Sequence, residues 1–403
     1  MSVLVKIADL DLSGKTVLIR EDYNVPIKDG VVTSDVRIRA TLPTLKQVLE
    51  AGAKIILVSH FGRPVAGKYN DAFSLAPVAK CLSDFLEVDV PVIKDWVDGI
   101  DMEDHQVVLC ENVRFEAGET KNDDELARKM AQLCQVYIND AFATAHRAQA
   151  STHGVAKYAA VSAAGPLLIN ELKSLSKALR EPAQPIIAIV GGAKVSSKLT
   201  VLETLSEKVD QLIVGGGIVN TFLKAAGYEV GKSLYEPGLI ETASKLIKQA
   251  EENGCQIPLP VDVICGKEFN ENTKAVTKSI NDVEADDMIM DVGPETSKQL
   301  NEIIAKAKTI VWNGPLGVFE FDQFSQGTES LAKAIANSEA YSIAGGGDTI
   351  AAISKFDVED KISYISTGGG AFLEFLEGKK LPAVDILEEA ARAWTAMEKA
   401  REL

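Results

Sequence analysis

Cysteine is scarce in this 403-residue sequence: Cys81, Cys110, Cys134, Cys255 and Cys265 are its five, and no two form a CxxC pair. That spacing offers neither a thiolate zinc site nor a disulfide framework, and it suits a reducing compartment. No apolar run reaches the roughly 18 residues of a membrane span, and no basic-then-apolar leader opens the chain. We therefore expect a cytoplasmic protein with no membrane partner. Positive charge is short as well. The 42 Lys+Arg against 58 Asp+Glu leave a net charge of -16, which argues against a nucleic-acid partner and penalises any anionic ligand unless local cations answer it. Two nucleotide fingerprints are missing. No dinucleotide GxGxxG with its acidic strand end is evident, and VGKS at 230–233 lacks the first glycine of a P-loop because Ala226 stands there.

What is present is a large apolar complement, 46% of the residues, enough for two or three domains at roughly 150 residues each. Strand-length apolar runs recur at 16–20 (TVLIR), 54–58 (KIILV), 106–110, 135–139, 185–190, 211–215, 309–313 (TIVWN), 340–345 and 362–366. Between them lie helical patterns such as DELARKMAQL, ETASKLIKQAEE and TSKQLNEIIAKA. Continuous apolar runs alternating with helices predict an α/β protein with parallel sheets buried on both faces. Gly165-Pro166 opens a long helical pattern that ends before Pro182 and Pro185, and the domain junction is expected around it. A last helix is predicted over 386–403, with Leu387, Ala390, Ala391 and Trp394 near one face; periodicity alone lets it pack on either half.

The arginines are unevenly spread. They stand at 20, 37, 39, 63, 114, 128, 147 and 180, then none occurs until 392, and all four histidines lie in the first half. A planar guanidinium suits bidentate recognition of carboxylate and phosphate. REDYNVPIKDG at 20–30 places Asp22 and Asn24 after a strand, and SDVRIRATLP at 34–43 sets Arg37 and Arg39 before a helix. SHFGRP at 59–64 adds His60 and Arg63, ENVRFEAGE adds Arg114, and NDAFATAHRAQAS adds His146 and Arg147. Each arginine alone has a structural reading. Together, at the carboxyl ends of parallel strands, they suit a small ligand bearing carboxylate and phosphate.

In the second half, three turns repeat an apolar strand followed by three glycines: QLIVGGGIVN, YSIAGGGDTI and YISTGGGAFL. Such turns expose backbone N–H groups and admit close approach of an anion. IIAIVGGAKVSSKLTVLETL at 186–205 predicts a helix with Lys194 and Lys198 one turn apart near its start, a place where an ordinary helix favours acids. A bound phosphate offsets that arrangement; an exposed basic turn is the plain alternative. Asp348, after Gly345–Gly347 and before Thr349, is either a helix N-cap or a ligand for a hard cation that accompanies nucleotide phosphates. VWNGPLGVFEF at 311–321 adds Asn313 and Glu320, the latter suited to accept from ribose hydroxyls.

Seven of these segments, REDYNVP, SHFGRP, NDAFATAHRA, GGAKVSSKL, VWNGPLGVFE, GGGDT and STGGGAFLE, occur in an order that closely resembles the phosphoglycerate kinases over nearly the whole chain. The resemblance implies reversible phosphoryl transfer from 1,3-bisphosphoglycerate to ADP, giving 3-phosphoglycerate and ATP. It implies two Rossmann-like three-layer α/β domains joined by an interdomain helix: a phosphoglycerate-binding domain at 1–170 completed by 386–403, and a nucleotide-binding domain at 171–385. It further implies that Asp22, Asn24, Arg37, His60, Arg63, Arg114 and Arg147 bind phosphoglycerate. Lys194, Lys198, Asn313, Glu320, Gly346, Gly347, Asp348 and Thr349 would surround Mg²⁺ with ADP or ATP, Asp348 holding the metal. Arg37 and Lys198 would stabilise the transferring phosphoryl group, in a monomer that closes about its substrates. Glu21 and Tyr23 stand where the family commonly has an apolar residue and Phe, and Ala143 replaces a common glycine. A kinase for another small carboxylate and a non-catalytic nucleotide binder are the competing readings; the presence of both Arg37 and Lys198 argues against the second.

Overall fold

The computed structural model describes residues 4–401. They fall into two compact units, Met1–Lys173 with Lys380–Leu403, and Ser174–Lys379. In the first unit the chain forms β1 (Thr16–Arg20), a tight hairpin of β2 (Ile27–Lys28) and β3 (Val31–Val32), β4 (Lys54–Val58), β5 (Val92–Ile93), β6 (Val107–Cys110), β7 (Val136–Asn139) and β8 (Ser162–Ala164). Six strands make a parallel sheet in the order β5-β6-β4-β1-β7-β8. Val17, Ile19, Ile55, Leu57, Val107 and Leu109 put alternate residues of the central strands into one core. Ile38, Leu45 and Val48 of α1 (Val36–Glu50) and Val78 and Leu82 of α2 (Ala76–Leu86) fill the same core. Because β1, β4 and β7 pair in parallel with Arg20 opposite both Val58 and Asn139, their carboxyl ends lie at one edge. The unit also carries α3 (Asp124–Gln132) and α4 (Val155–Tyr158), and α5 (Pro166–Leu179) runs unbroken across the division between the units.

The second unit contains β9 (Ile186–Gly192), α6 (Leu199–Ser206), β10 (Gln211–Gly216), α7 (Gly217–Ala225), α8 (Ile240–Glu252), β11 (Asp262–Gly266), β12 (Val276–Ser279) and β13 (Met288–Val292). It continues through α9 (Pro294–Ile304), β14 (Thr309–Asn313), α10 (Gln326–Asn337), β15 (Tyr341–Gly345), α11 (Gly347–Lys355), β16 (Tyr364–Ser366) and α12 (Gly370–Leu376). Its main sheet is parallel, in the order β10-β9-β14-β15-β16. The chain then forms α13 (Pro382–Arg401), which belongs to the first unit: Ala391 sits in that core and Trp394 packs against it. The helix begins four residues before the expected start at 386, with Pro382 at its first turn, where a missing N–H costs nothing. Residues 402 and 403 of the expected segment lie outside the described residues.

Three expectations change. A small antiparallel sheet, β12-β11-β13, accompanies the parallel one; β12 is largely exposed, so its sequence carries no buried apolar run. Arg37 and Arg39 lie within the first turns of α1 rather than before it. The helix expected from 195 is interrupted: Val195–Ser197 is a single 3-10 turn, and α6 starts at Leu199. Lys194 and Lys198 therefore flank a turn instead of sharing one helical face.

Candidate functional site

In the first unit the loops after β1, β4, β6 and β7 carry the expected charged residues to one sheet edge. Arg37 Nη1 donates to Asp22 Oδ2 at 2.8 Å and to the Asn24 carbonyl at 3.2 Å. Asn24 Oδ1 accepts from the Gly62 amide at 3.0 Å, tying the β1 loop to SHFGRP. The Arg114 guanidinium donates to the Gly62 carbonyl. His60, only 5% exposed, lies with Nδ1 3.8 Å from Asp22 Oδ1 and 3.2 Å from Arg20 Nη2. Burial holds its ring well below the usual imidazole range, and the charges of Arg20, Arg114, Arg147 and Arg37 push the same way. Neutral His60 thus marks the point on which four guanidinium groups bear.

Arg114 reports the same crowding. Burial, then Arg147 and Arg20, bring its guanidinium down to about 10, with Arg63 adding a smaller push. Like charges held this close repel, so an anion that enters relieves them as well as being attracted. Arg63 is exposed and Arg147 half-buried, its Nε donating to His146 Nε2 at 3.1 Å. Arg39 does not join: it pairs with Asp35 at 2.9 Å and lies over the Phe85 ring. The residue that sequence reasoning missed is Arg20. It is fully buried, and its Nε donates to Ser151 Oγ at 2.9 Å, which donates in turn to Glu119 Oε1 at 2.6 Å. An arginine closing the apolar run TVLIR is the only signal the sequence offered.

In the second unit a cleft of about 260 Å³ opens among Gly192, Gly216, Gly217, Pro315, Glu320 and Asp348. Leu234, Phe269, Met290 and Leu316 give it an apolar side, and glycine turns close the other; beside those turns the backbone packs without room for side chains. A Cβ at Gly191 would collide with the Pro315 carbonyl, and Gly346 takes φ +100°, which an L side chain rarely adopts. Asn313 is buried and its amide bridges: Oδ1 accepts from Lys198 Nζ at 2.6 Å, and Nδ2 donates to the Gly345 carbonyl at 2.7 Å. Thr349 Oγ1 donates to the same carbonyl at 2.9 Å and accepts from the Gly314 amide at 2.7 Å, so that hydroxyl is engaged within the fold. Burial lowers the Lys198 ammonium, while Asp348 and Glu377 oppose the shift.

Asp348 is exposed and is not the cap of α11; Gly346 occupies that position. The N-cap reading is therefore overturned: the cap position takes φ +100°, a conformation glycine adopts freely and aspartate does not. Gly347 and Lys194 are exposed near the same turns. Asp291, unforeseen from sequence, forms part of the cleft wall: its carboxylate is buried and accepts from the amides of Gly327 at 2.8 Å and Val292 at 2.9 Å.

Crowded guanidinium forks in one unit, and a glycine-walled cleft with a lysine and a carboxylate at its edge in the other, define a small-molecule kinase. The model of the family "Phosphoglycerate kinase" matches residues 7–379. Phosphoglycerate kinase of Nitratidesulfovibrio vulgaris (strain DSM 19637 / Miyazaki F) is 59% identical over 389 residues, covering 96% of this chain and 99% of its own length. The structure of phosphoglycerate kinase from Coxiella burnetii, 55% identical, superposes with a TM-score of 0.94 over 96% of this chain and 100% of that one. That of Pyrococcus horikoshii OT3, 33% identical, gives 0.81 over 97% and 100%. The chain belongs to the phosphoglycerate kinase family. Its reaction is the reversible glycolytic transfer of a phosphoryl group from 1,3-bisphosphoglycerate to ADP, yielding 3-phosphoglycerate and ATP.

Proposed function

We propose that the arginine cluster of the first unit seats the phosphoglycerate and that the glycine-walled cleft of the second seats ADP or ATP with Mg²⁺. The observation that carries this reading is the convergence of Arg20, Arg37, Arg114 and Arg147 on His60 in a protein whose net charge is -16. A local cationic focus against an acidic background selects a small polyanion and leaves the rest of the surface repulsive to larger ones. Asp22 holds Arg37 in place through one 2.8 Å bond and leaves its other nitrogens for ligand.

Exposed Asp348 fits the metal: one hard oxygen at the rim of the cleft, with space for the waters that Mg²⁺ retains. When bound, Mg²⁺ neutralises charge on the nucleotide phosphates. Lys198, fixed by Asn313 beside Asp348, and Arg37 from the first unit meet the charge that develops on the transferring group. The nucleophile in the ATP-consuming direction is a carboxylate ionised at neutral pH, so no general base is needed. Lys194, Glu320, Gly346, Gly347 and Thr349 complete the nucleotide cradle, and Asn24, His60 and Arg63 the phosphoglycerate pocket.

Transfer requires the two ligands to meet with water excluded, yet each must first enter. We assign that to a hinge closure about α5 and the Ser366-Thr367 segment, in a cytoplasmic monomer. Calorimetric titration tests the site assignment: Arg114→Gln is expected to weaken 3-phosphoglycerate binding and spare MgADP. Loss of MgADP binding with intact 3-phosphoglycerate binding would reverse the two pockets. Small-angle scattering of the apo, binary and ternary complexes tests closure and the monomer together; an unchanged ternary profile with both sites occupied refutes the hinge.

A further inference from the structure

Glu21 has no exposed surface, and neither of its carboxyl oxygens has a hydrogen-bond partner among the described residues. It stands between Arg20 and Asp22, so the strand end that leads into the arginine cluster also carries a carboxyl group in the core beside it. Its backbone is firmly held. The Glu21 amide donates to the Val58 carbonyl at 3.0 Å, and its own carbonyl accepts from Ser59 Oγ at 2.8 Å and from the Arg20 guanidinium. The side chain, by contrast, has no donor to meet a negative charge.

The groups around it are few. On its own segment are Arg20, Asp22 and Tyr23, the last joined to Thr41 of α1 at 3.1 Å. From the loop after β4 come Ser59 and the uncharged His60, and from the loop after β7 comes Asp140. Asp140 is also buried, but it accepts from the Thr44 hydroxyl and from the Leu168 amide at 3.1 Å. Two carboxyl groups in one enclosed region do not both ionise readily, and the one with donors takes the charge. Burial and then Asp140 hold the Glu21 carboxyl well above its usual range, against the opposing pull of Arg20; Asp140 itself is raised by burial to about 6. The donors thus favour charge on Asp140 and the proton on Glu21.

We propose that Glu21 is a proton-gated charge beside the arginine cluster: a carboxylic acid buried without a donor, whose ionisation as pH rises weakens the cluster's hold on phosphoglycerate. The step is a simple ionisation, in which the carboxyl O–H bond breaks and the proton passes to solvent hydroxide. The new anion lies beside buried Arg20 and lowers the positive potential that the cluster presents to the ligand. The inference rests on the assignment of the cluster to phosphoglycerate.

The test compares wild type with Glu21→Gln, which keeps the shape and cannot ionise. KM for 3-phosphoglycerate and for MgATP is measured from neutral to alkaline pH, and infrared spectra of both proteins are recorded at neutral pH. Wild type is expected to show a protonated-carboxyl stretch that the variant lacks. Its KM for 3-phosphoglycerate should rise in alkali about threefold more than the variant's, with parallel MgATP profiles. Parallel 3-phosphoglycerate profiles, or no carboxyl band assignable to Glu21, would overturn the proposal. If the buried amide of Glu21→Gln prevents folding, Glu21→Leu, which needs no partner, carries the same comparison. Arg37→Ala is run alongside: an unchanged response to 3-phosphoglycerate there would remove the site assignment, while the infrared band still decides the protonation of Glu21.

Discussion

After β1, β4, β6 and β7, the first unit gathers guanidinium groups close enough to depress Arg114 and the histidine among them. After β9, β14 and β15, the second unit gathers peptide turns close enough that a single added methyl group collides with a neighbouring carbonyl. Recognition by side-chain charge and recognition by backbone are vulnerable in different ways. Charges can be exchanged for neutral groups with little steric consequence, whereas a backbone cradle tolerates almost no added volume. The first unit is therefore expected to lose chemistry before stability when altered, and the second to lose stability with chemistry.

The largest effect should come from Arg37→Ala. Turnover is expected to fall about a thousandfold, as for loss of a donor aimed at developing charge, with MgADP affinity nearly unchanged. Steady-state kinetics and nucleotide titration separate the two; preserved turnover with lost ADP binding contradicts the division of labour. Lys198→Met keeps most of the stem's packing and removes the cation that binds Asn313. We expect about a hundredfold loss of turnover, and a near-normal rate would make that contact merely structural.

Gly191→Ala probes the other side of the comparison. The added Cβ meets the rigid Pro315 carbonyl rather than a side chain that can move, so a loss of about 3 kcal/mol in urea unfolding is expected. A wild-type midpoint would mean that the turn at 314–315 yields easily. Asp291→Asn gives a pH signature instead. Burial raises the Asp291 carboxyl to about 7, above its unfolded value of about 4. Its contribution to stability is then fully present below about pH 4 and is lost as pH rises through about 7. The urea midpoint of wild type should fall relative to that of Asp291→Asn across this window, and parallel midpoints would show that the carboxyl is not perturbed. The smallest effect is assigned to Arg39→Ala, two residues from Arg37. Its exposed pair with Asp35 is worth about 0.5 kcal/mol, and KM for 3-phosphoglycerate should not change.

Arg37 and Arg39 also show what pattern could and could not reveal. Both follow from the same segment, and only the rotation of α1 separates the one that meets Asp22 from the one that meets Asp35 and Phe85. The Lys194 and Lys198 pair was visible as an anomaly, but its assumed helical spacing was not what forms. The chain makes a 3-10 turn first, leaving Lys194 exposed and directing Lys198 to Asn313, 115 positions away in sequence. The β2–β3 hairpin was within reach of local reading, because Asp29-Gly30 takes φ 50° and 73°, as a primed turn requires. The antiparallel sheet of β11 to β13 was not, since β12 presents four residues with little burial.

By itself the sequence determined the α/β class, the long parallel strands, the glycine turns and the list of charged residues able to meet an anion, because these follow from local periodicity, backbone freedom and side-chain chemistry. Tertiary structure alone decided which of those residues converge. It brought Arg20, Arg114 and Arg147 around His60, took Arg39 away, engaged Thr349 within the fold and buried Glu21 without a donor. The physical reason is that burial and like-charge proximity belong to pairs of residues far apart along the chain. They arise only when parallel pairing of β1, β4 and β7 brings distant loops to one edge.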